Sequence, residues 1–431
     1  MYVGFFDFDF VEHTAPLFLL AMVKRRMIRY ALILWILIIQ ADSQETCDYQ
    51  KYDNQLSCTN INSSDVFNTK ISEALAKNNL TNEDIESITI HECNFETFTI
   101  APIDGWPKLK KIQIFNSHIN SLNSDAFSNI QSLEVIMMNM NNLGQVDKSV
   151  FDNLKTLKTL FLLQNGNFNN FRGCFSNLMS LEKLNLSFNN LSTFPTDIFQ
   201  RLHNLIQLSL GHIALSSLPE GAFQNLEKLE ELYLNCNNIK ELQPSHLNGL
   251  KNLKTLTFSN NKLTKLSADL FDNLSEIRNL DFEENIITKV EKGIFDKLPN
   301  LKRLDLSENK IKKLPSNLFK NNPNLDYFDI TNNDLESICG VLSSNLKNLE
   351  HFSLRNNKIK SLESNCFQEM PALSSLDISN NRLEKINREA FKNLPGLTQL
   401  KLEGNNIDEV LNEQETGFNA DWELLEAILF D

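Results

Sequence analysis

The chain has 431 residues, 42% hydrophobic and 22% charged, a globular composition without collagen-like or low-complexity bias. Only 13 glycines and 11 prolines are present, which argues against a long flexible linker. A formal charge of −14 argues against nucleic acid and anionic lipid headgroups, both of which demand a basic face.

The amino terminus reads as an address. Residues 1–21 precede the more conventional starts Met22 and Met27 and read as an upstream extension. Across 22–43, the bases Lys24, Arg25, Arg26 and Arg29 lead into the apolar run 30–39 and then the small residues Ala41 and Ser43. Basic region, apolar core and small-residue exit together read as a secretory signal peptide. The run is far short of the roughly 20 residues that cross a bilayer, and no later stretch reaches that length. A secreted product in the extracellular space, with no membrane span, is expected.

Residues 44–84 read as an amino-terminal cap. Cys47 and Cys58 are close together in a chain expected to be secreted, and a disulfide between them is expected. Ile71, Leu75 and Leu80 are placed to cover the first unit of a repeat that begins at Ile85.

From Ile85 onward the chain repeats every 24 residues, and 85–420 reads as fourteen coils, the last degenerate. Leucine or isoleucine opens each coil at 85, 109, 133, 157, 181, 205, 229, 253, 277, 301, 325, 349, 373 and 397. The pattern LxxLxLxxNxLxxLxxxxFxxLxx alternates apolar and polar residues at its start, the period of a half-buried strand. A single coil cannot bury its own leucines, so neighbours must stack and their strands pair in parallel. Strands stand about 4.8 Å apart while the opposite wall is bulkier, so the stack should curve with the sheet on its concave face. The fold class expected is an α/β repeat solenoid: a horseshoe with a parallel β-sheet inside and irregular or short helical turns outside.

Two inner rows have their own logic. Position 9 is asparagine in most coils, an amide that donates and accepts and so satisfies backbone groups where the chain leaves the strand. Cys93, Ser117 and Ile213 depart from this, and Ile213 should loosen the ladder locally. Position 19 is usually phenylalanine and should stack as a spine. Leu247 substitutes there, and Ser343 leaves a gap that Leu342 is placed to fill. After Val410 the register fades, and 421–431 reads as a carboxyl-terminal lid, with Trp422, Leu425 and Phe430, together with Phe418 just before it, as covering residues. Trp422 to Phe430 could also offer a homodimer contact.

Of the remaining cysteines, Cys339 and Cys366 fall in adjacent coils, where a staple is geometrically open. Cys93, Cys174 and Cys236 are expected as buried, inert thiols. The odd count of seven also permits a bridge to another chain.

Catalytic signatures are missing. The seven histidines are scattered, with no HExxH, no CxxC, no GxSxG and no glycine-rich phosphate loop. No catalytic residue, metal ligand or cofactor is assigned, and an enzyme is not expected.

Positions 2, 3, 5, 7 and 8 of each coil should face solvent, and most are polar. Coils two to five differ: Phe115, Val135, Met137, Met140, Phe161, Leu163 and Phe188 are placed to be exposed, with Tyr233 two coils beyond. An apolar patch on a solvent face marks an interaction site. For Met140 and Phe188, at position 8, packing under the ascending loop is an equal alternative. Later coils stack Asp281, Asp305 and Asp329 with Glu283, Glu284 and Glu308 alongside. A solvated structural row, with Arg278, Lys302 and Arg303 nearby, is the favoured reading there over a site for a basic partner. Glycosylation sequons occur at Asn62, Asn79, Asn185, Asn190 and Asn273. A glycan at Asn185 would stand beside Phe161.

The repeat and the paired amino-terminal cysteines resemble extracellular leucine-rich-repeat proteins: Toll-like receptor ectodomains, slit-type guidance proteins, small proteoglycan cores and insect secreted leucine-rich immune proteins. The resemblance covers residues 85–410. It implies a disulfide-bonded glycoprotein that recognises a protein ligand or receptor along its concave face, in innate immunity or cell-surface signalling. A structural or adhesive matrix component that self-associates is the alternative.

Overall fold

The computed structural model describes residues 44–411, apart from 101–104, 168–170, 192–193, 196, 343–344, 365, 368–369 and 393. The upstream extension, the signal peptide and the residues expected to form a carboxyl-terminal lid lie outside the described residues.

The described chain opens with a hairpin. Strands β1 (Thr46–Gln50) and β2 (Gln55–Thr59) pair antiparallel, and Cys47 faces Cys58 directly in the register. A disulfide joins the two. β2 then pairs in parallel with β3 (Ser87–His91), the strand of the first coil. The hairpin thereby satisfies a sheet edge that would otherwise present unpaired N–H and C=O groups.

Helix α1 (Ser64–Lys77) starts where the Ser63 hydroxyl accepts the Val66 N–H at 3.3 Å. Asp65 in its first turn and Lys77 in its last complement the helix dipole. Its buried face carries Phe67, Ile71, Ala74 and Leu75, while Leu80 beyond it is only partly buried.

Each of the fourteen coils contributes one strand, and with the hairpin they form a sixteen-stranded sheet in chain order. Within the coils every pairing is parallel and offset by 24 residues, as in Leu184 opposite Leu208 and Leu232 opposite Leu256. Positions 4 and 6 point inward and are fully buried along most of the stack, as at Leu160 and Leu162. Each such side chain contributes roughly 1.5–3 kcal/mol, so neighbouring coils hold one another.

The asparagine ladder runs on both sides of coil six and changes its bonding there. Upstream, the N–H of one position-9 residue donates to the side-chain oxygen of the next: Ser117 to Asn141 at 3.0 Å, Asn141 to Asn165 at 3.1 Å and Asn165 to Asn189 at 2.8 Å. Downstream the donor is two residues later, as with Ile239 to Asn261 at 3.1 Å and Leu263 to Asn285 at 3.0 Å. Ile213 sits at the junction. Its own N–H and that of Leu215 both reach Asn237 Oδ1, at 3.2 and 3.0 Å. The Leu186 carbonyl keeps its within-coil bond from Asn189 Nδ2 at 2.7 Å but lacks the second bond that an asparagine at 213 would give, such as Leu234 receives from both Asn237 and Asn261. Ile213 thus offers the coil before it no side-chain acceptor, and the Leu191 N–H donates instead to the Ile213 carbonyl at 3.1 Å, so the side-chain ladder is interrupted at this step while the backbone bond is kept.

The phenylalanine spine also departs from expectation. Phe271, Phe295 and Phe319 stack at 6.4 and 6.0 Å. The line then leaves position 19: Phe319 meets Phe328 at 4.9 Å, Phe328 stacks on Phe352 at 5.2 Å, and Phe352 meets Phe367 at 6.5 Å. Phe328 and Phe352 hold position 4, which is leucine in most coils. Ser343 lies outside the described residues, and Leu342 is buried. The aromatic contact passes from Phe319 to Phe367 through those two rings, not through Leu342 alone. At the other end the spine runs from Phe127 through Phe98 and Phe95 to Phe67 of α1.

Cys339 and Cys366 form a second disulfide between adjacent coils. Cys93 and Cys174 are buried thiols. Cys236 is half-buried, not buried, because it stands at position 8 on the ascending edge.

Candidate binding face

The solvent face of the sheet is built from rows, each row holding one coil position repeated along the stack. Parallel pairing without offset sets side chains of equal position side by side, about 4.8 Å apart. Position 5 runs Gln113, Met137, Phe161, Asn185, Ser209, Tyr233 in successive strands. Met137 and Phe161 are direct register partners, and both are half-buried. Gln113 Nε2 packs on the Met137 sulfur at 3.7 Å.

Val135 lies two residues before Met137 and shares its face. Phe115, at position 7, stands opposite Asn139 and packs its ring on His91 at 5.3 Å. Leu163 follows in that row, its N–H donating to Asn139 Oδ1 at 3.2 Å. Phe115, Val135, Met137, Phe161 and Leu163 thus share one face of three consecutive coils. Tyr233 is separated from Phe161 by Asn185 and Ser209, and its hydroxyl donates to Glu231 at 2.9 Å.

Met140 and Phe188 are not tucked under the ascending loop. They are 51% and 50% exposed, among the most exposed large apolar side chains of the described residues. The reason is backbone conformation. Position 8 takes φ between +49° and +62° at every non-glycine coil residue, which turns the chain out of the strand. That conformation suits asparagine and glycine, and it directs other side chains outward at some cost in strain. The left-handed turn is repeated at all coils but is invisible in residue type at Met140 and Phe188.

The acidic row has a structural explanation that residue order alone did not reveal. Asp281, Asp305 and Asp329 are register partners. Each accepts the N–H two residues on: Glu283 at 3.0 Å, Ser307 at 2.9 Å and Thr331 at 2.7 Å. Asp377 does the same with Ser379, and Asn185 with Ser187. An oxygen acceptor at position 5 therefore closes the turn at the end of the strand.

Burial pushes Asp281, Asp305 and Asp329 above the usual carboxylate range, with their mutual repulsion adding at Asp305. Glu283 is pushed to about 7, first by burial and then by Asp281, Glu284, Asp329 and Glu308. Arg303 sits over the Tyr327 ring at 4.4 Å.

The sequons divide by exposure. Asn62, Asn79, Asn190 and Asn273 are exposed, whereas Asn185 is half-buried in its strand. Among the described residues no helix is long and apolar enough to cross a membrane, and no group of three His, Cys, Asp or Glu side chains could hold a metal ion.

A leucine rich repeat model matches the chain in seven overlapping windows: 107–166, 131–191, 179–237, 227–285, 275–335, 323–383 and 371–415. No curated protein matches it. Among solved structures, the Drosophila Toll–Spatzle complex aligns at TM-score 0.70 with 21% identity, over 84% of this chain and 56% of that one. The LRIM1/APL1C complex aligns at 0.60 with 20% identity, over 75% and 59%. A TLR13–ssRNA13 complex aligns at 0.57 with 24% identity, over 81% and 60%. This chain thus spans under two thirds of those proteins, and at these identities the likeness is one of fold.

Proposed function

The chain belongs to the leucine-rich repeat family, and we propose that it is a secreted, non-enzymatic recognition protein that binds a protein ligand through coils two to four. The observation that carries the reading is the register pairing of Met137 with Phe161 on the solvent face of the sheet, flanked by Val135, Phe115 and Leu163. Elsewhere that face is mostly polar, so the apolar group has no structural reason to be there. Apolar side chains held on a regular sheet lose little freedom on docking, which favours a partner with a matching apolar surface.

The disulfides support an extracellular setting. Toll is a protein complexed with Spatzle, in a structure described as a hub of Drosophila development and innate immunity, and LRIM1 is complexed with APL1C. These parallels favour recognition in immunity or cell-surface signalling over a self-associating matrix role. TLR13 is complexed with ssRNA. A polyanion is disfavoured here, because Asp281, Asp305 and Asp329 line the later strands of the same face.

The test is affinity capture from extracellular fluid with tagged wild type and the Met137→Glu, Phe161→Glu double variant. A protein held by the first and lost by the second is the expected result. Equal capture by two equally folded proteins would remove this face from consideration. A mass that rises with concentration in light scattering, with no captured protein, would favour the self-associating matrix component.

A further inference from the structure

The last coil is finished differently from the one before it. In coil thirteen Leu373, Leu376 and Leu383, at positions 1, 4 and 11, are each 0% exposed. Their counterparts in coil fourteen, Leu397, Leu400 and Ile407, are only half-buried. These are the apolar side chains that one more coil would cover. The sheet stops at the same place. The strand Gln399–Lys401 pairs with Ser375–Asp377 on one side and is the last of the sixteen among the described residues. A strand edge beside a partly covered apolar end is a template for adding another chain.

The phenylalanine spine stops one coil earlier, in the opposite condition. Phe391 stacks on Phe367 at 5.7 Å and is 1% exposed. The residue 24 positions on is Glu415, so the period supplies no ring to follow Phe391. A buried spine end beside a half-covered strand end calls for apolar side chains from outside the repeat.

Residues 412–431 hold such side chains. Phe418, Trp422, Leu425 and Leu429 recur at intervals of four, three and four, the spacing of one helix face, and Glu423 and Glu426 fall off that face. The segment leaves directly from the strand Glu409–Leu411, which pairs with Lys385–Asn387 of coil thirteen.

We propose that residues 412–431 fold back over this end as a lid, with Phe418 following Phe391 in the spine and Trp422 and Leu425 covering Leu397, Leu400 and Ile407. The lid closes the strand edge to a second copy and so keeps a self-templating end monomeric. Tethering favours the chain's own tail, since a segment joined beside its site acts at an effective concentration on the order of millimolar. Charge favours it too. The tail carries six acids and no base, so two tails brought together end to end repel. The lid is independent of the ligand and of secretion.

In the full chain, Trp35→Phe and Trp106→Phe leave Trp422 as the one tryptophan. Its quenching by acrylamide is compared in native and denatured protein across a dilution series, with mass read by light scattering. Native Trp422 is expected to be shielded at every concentration, in a monomer. Leu400→Ala should unshield it, whereas Leu160→Ala, the same change in coil four, should not. Trp422→Glu should speed hydrogen exchange in the strands Gln399–Lys401 and Glu409–Leu411 by about tenfold or more and leave Thr159–Phe161 unchanged, because coils touch only their neighbours. Native quenching equal to that of the denatured chain overturns the lid, and shielding indifferent to Leu400→Ala overturns its place. Shielding lost on dilution, with a mass that falls from two copies to one, makes a second copy the occupant. Exchange quickened equally in coil four overturns local docking.

Discussion

The backbone N–H of Ile213 donates to the Asn237 side-chain oxygen at 3.2 Å, so the residue that breaks the asparagine row is bonded by the next rung. Asn237 also accepts from Leu215 and donates to the carbonyls of Leu210 and Leu234. It therefore holds the point where the ladder changes its bonding.

Asn237→Ala is expected to destabilise by about 3 kcal/mol or more, since each buried group left unbonded costs about 1–3 kcal/mol. Hydrogen exchange at the Ile213 and Leu215 amides should accelerate by at least tenfold. A change confined to a distant coil, or a loss below 1 kcal/mol, would contradict this role.

Phe328→Leu restores the residue usual at position 4, yet it should cost about 1–2 kcal/mol because the aromatic line from Phe319 to Phe352 loses its middle ring. Phe352→Leu should behave alike. Denaturant midpoints for the two variants check it, and an unchanged or raised midpoint would show that the detour carries no stability.

Met140→Asn should stabilise by about 0.5–1 kcal/mol, because φ of +62° suits asparagine better than methionine. The effect is read as a raised midpoint. Gly144→Ala is the contrasting case: a Cβ there would stand 2.3 Å from the Asn120 carbonyl oxygen. Backbone must shift, and a loss of about 1–3 kcal/mol is expected.

The carboxylate of Glu283 sets a direction with pH. Its folded pKa is raised from 4.5 to about 7, so the folded state holds more protons than the unfolded state between those values. Stability contributed by this group is present below about 4.5 and falls as pH rises towards 7. His91, His212 and His246 run the other way, since burial lowers their pKa and protonation favours unfolding. The comparison that isolates the effect is Glu283→Gln against wild type. The variant should melt higher at pH 7.5, and the difference should vanish by pH 4.5. A constant difference across that range would show that Glu283 is not buried as the structure has it.

Cys174 should resist alkylation in the native state, because burial and the nearby Asp147 push its thiol up to about 12. Iodoacetamide should label it only on unfolding, and native labelling at neutral pH would contradict its burial.

Residue order by itself determined the solenoid, and the reason is physical: a strict 24-residue period admits one register, and each coil must stack to bury its leucines. The apolar group at Met137, Phe161 and Leu163 was legible for the same reason, since position in the period tells which way a strand residue points. Tertiary structure alone decided the rest. How Ile213 is bonded depends on which neighbouring donors and acceptors lie within reach, and these come from residues 22 to 27 positions away. That Phe328 and Phe352 carry the spine past residue 343 depends on ring positions in three coils. Phe188 and Met140 are exposed because a left-handed turn recurs at position 8, a backbone feature that a phenylalanine or methionine does not announce. Period fixes direction along a repeating chain, but contact between coils depends on distances that no period contains.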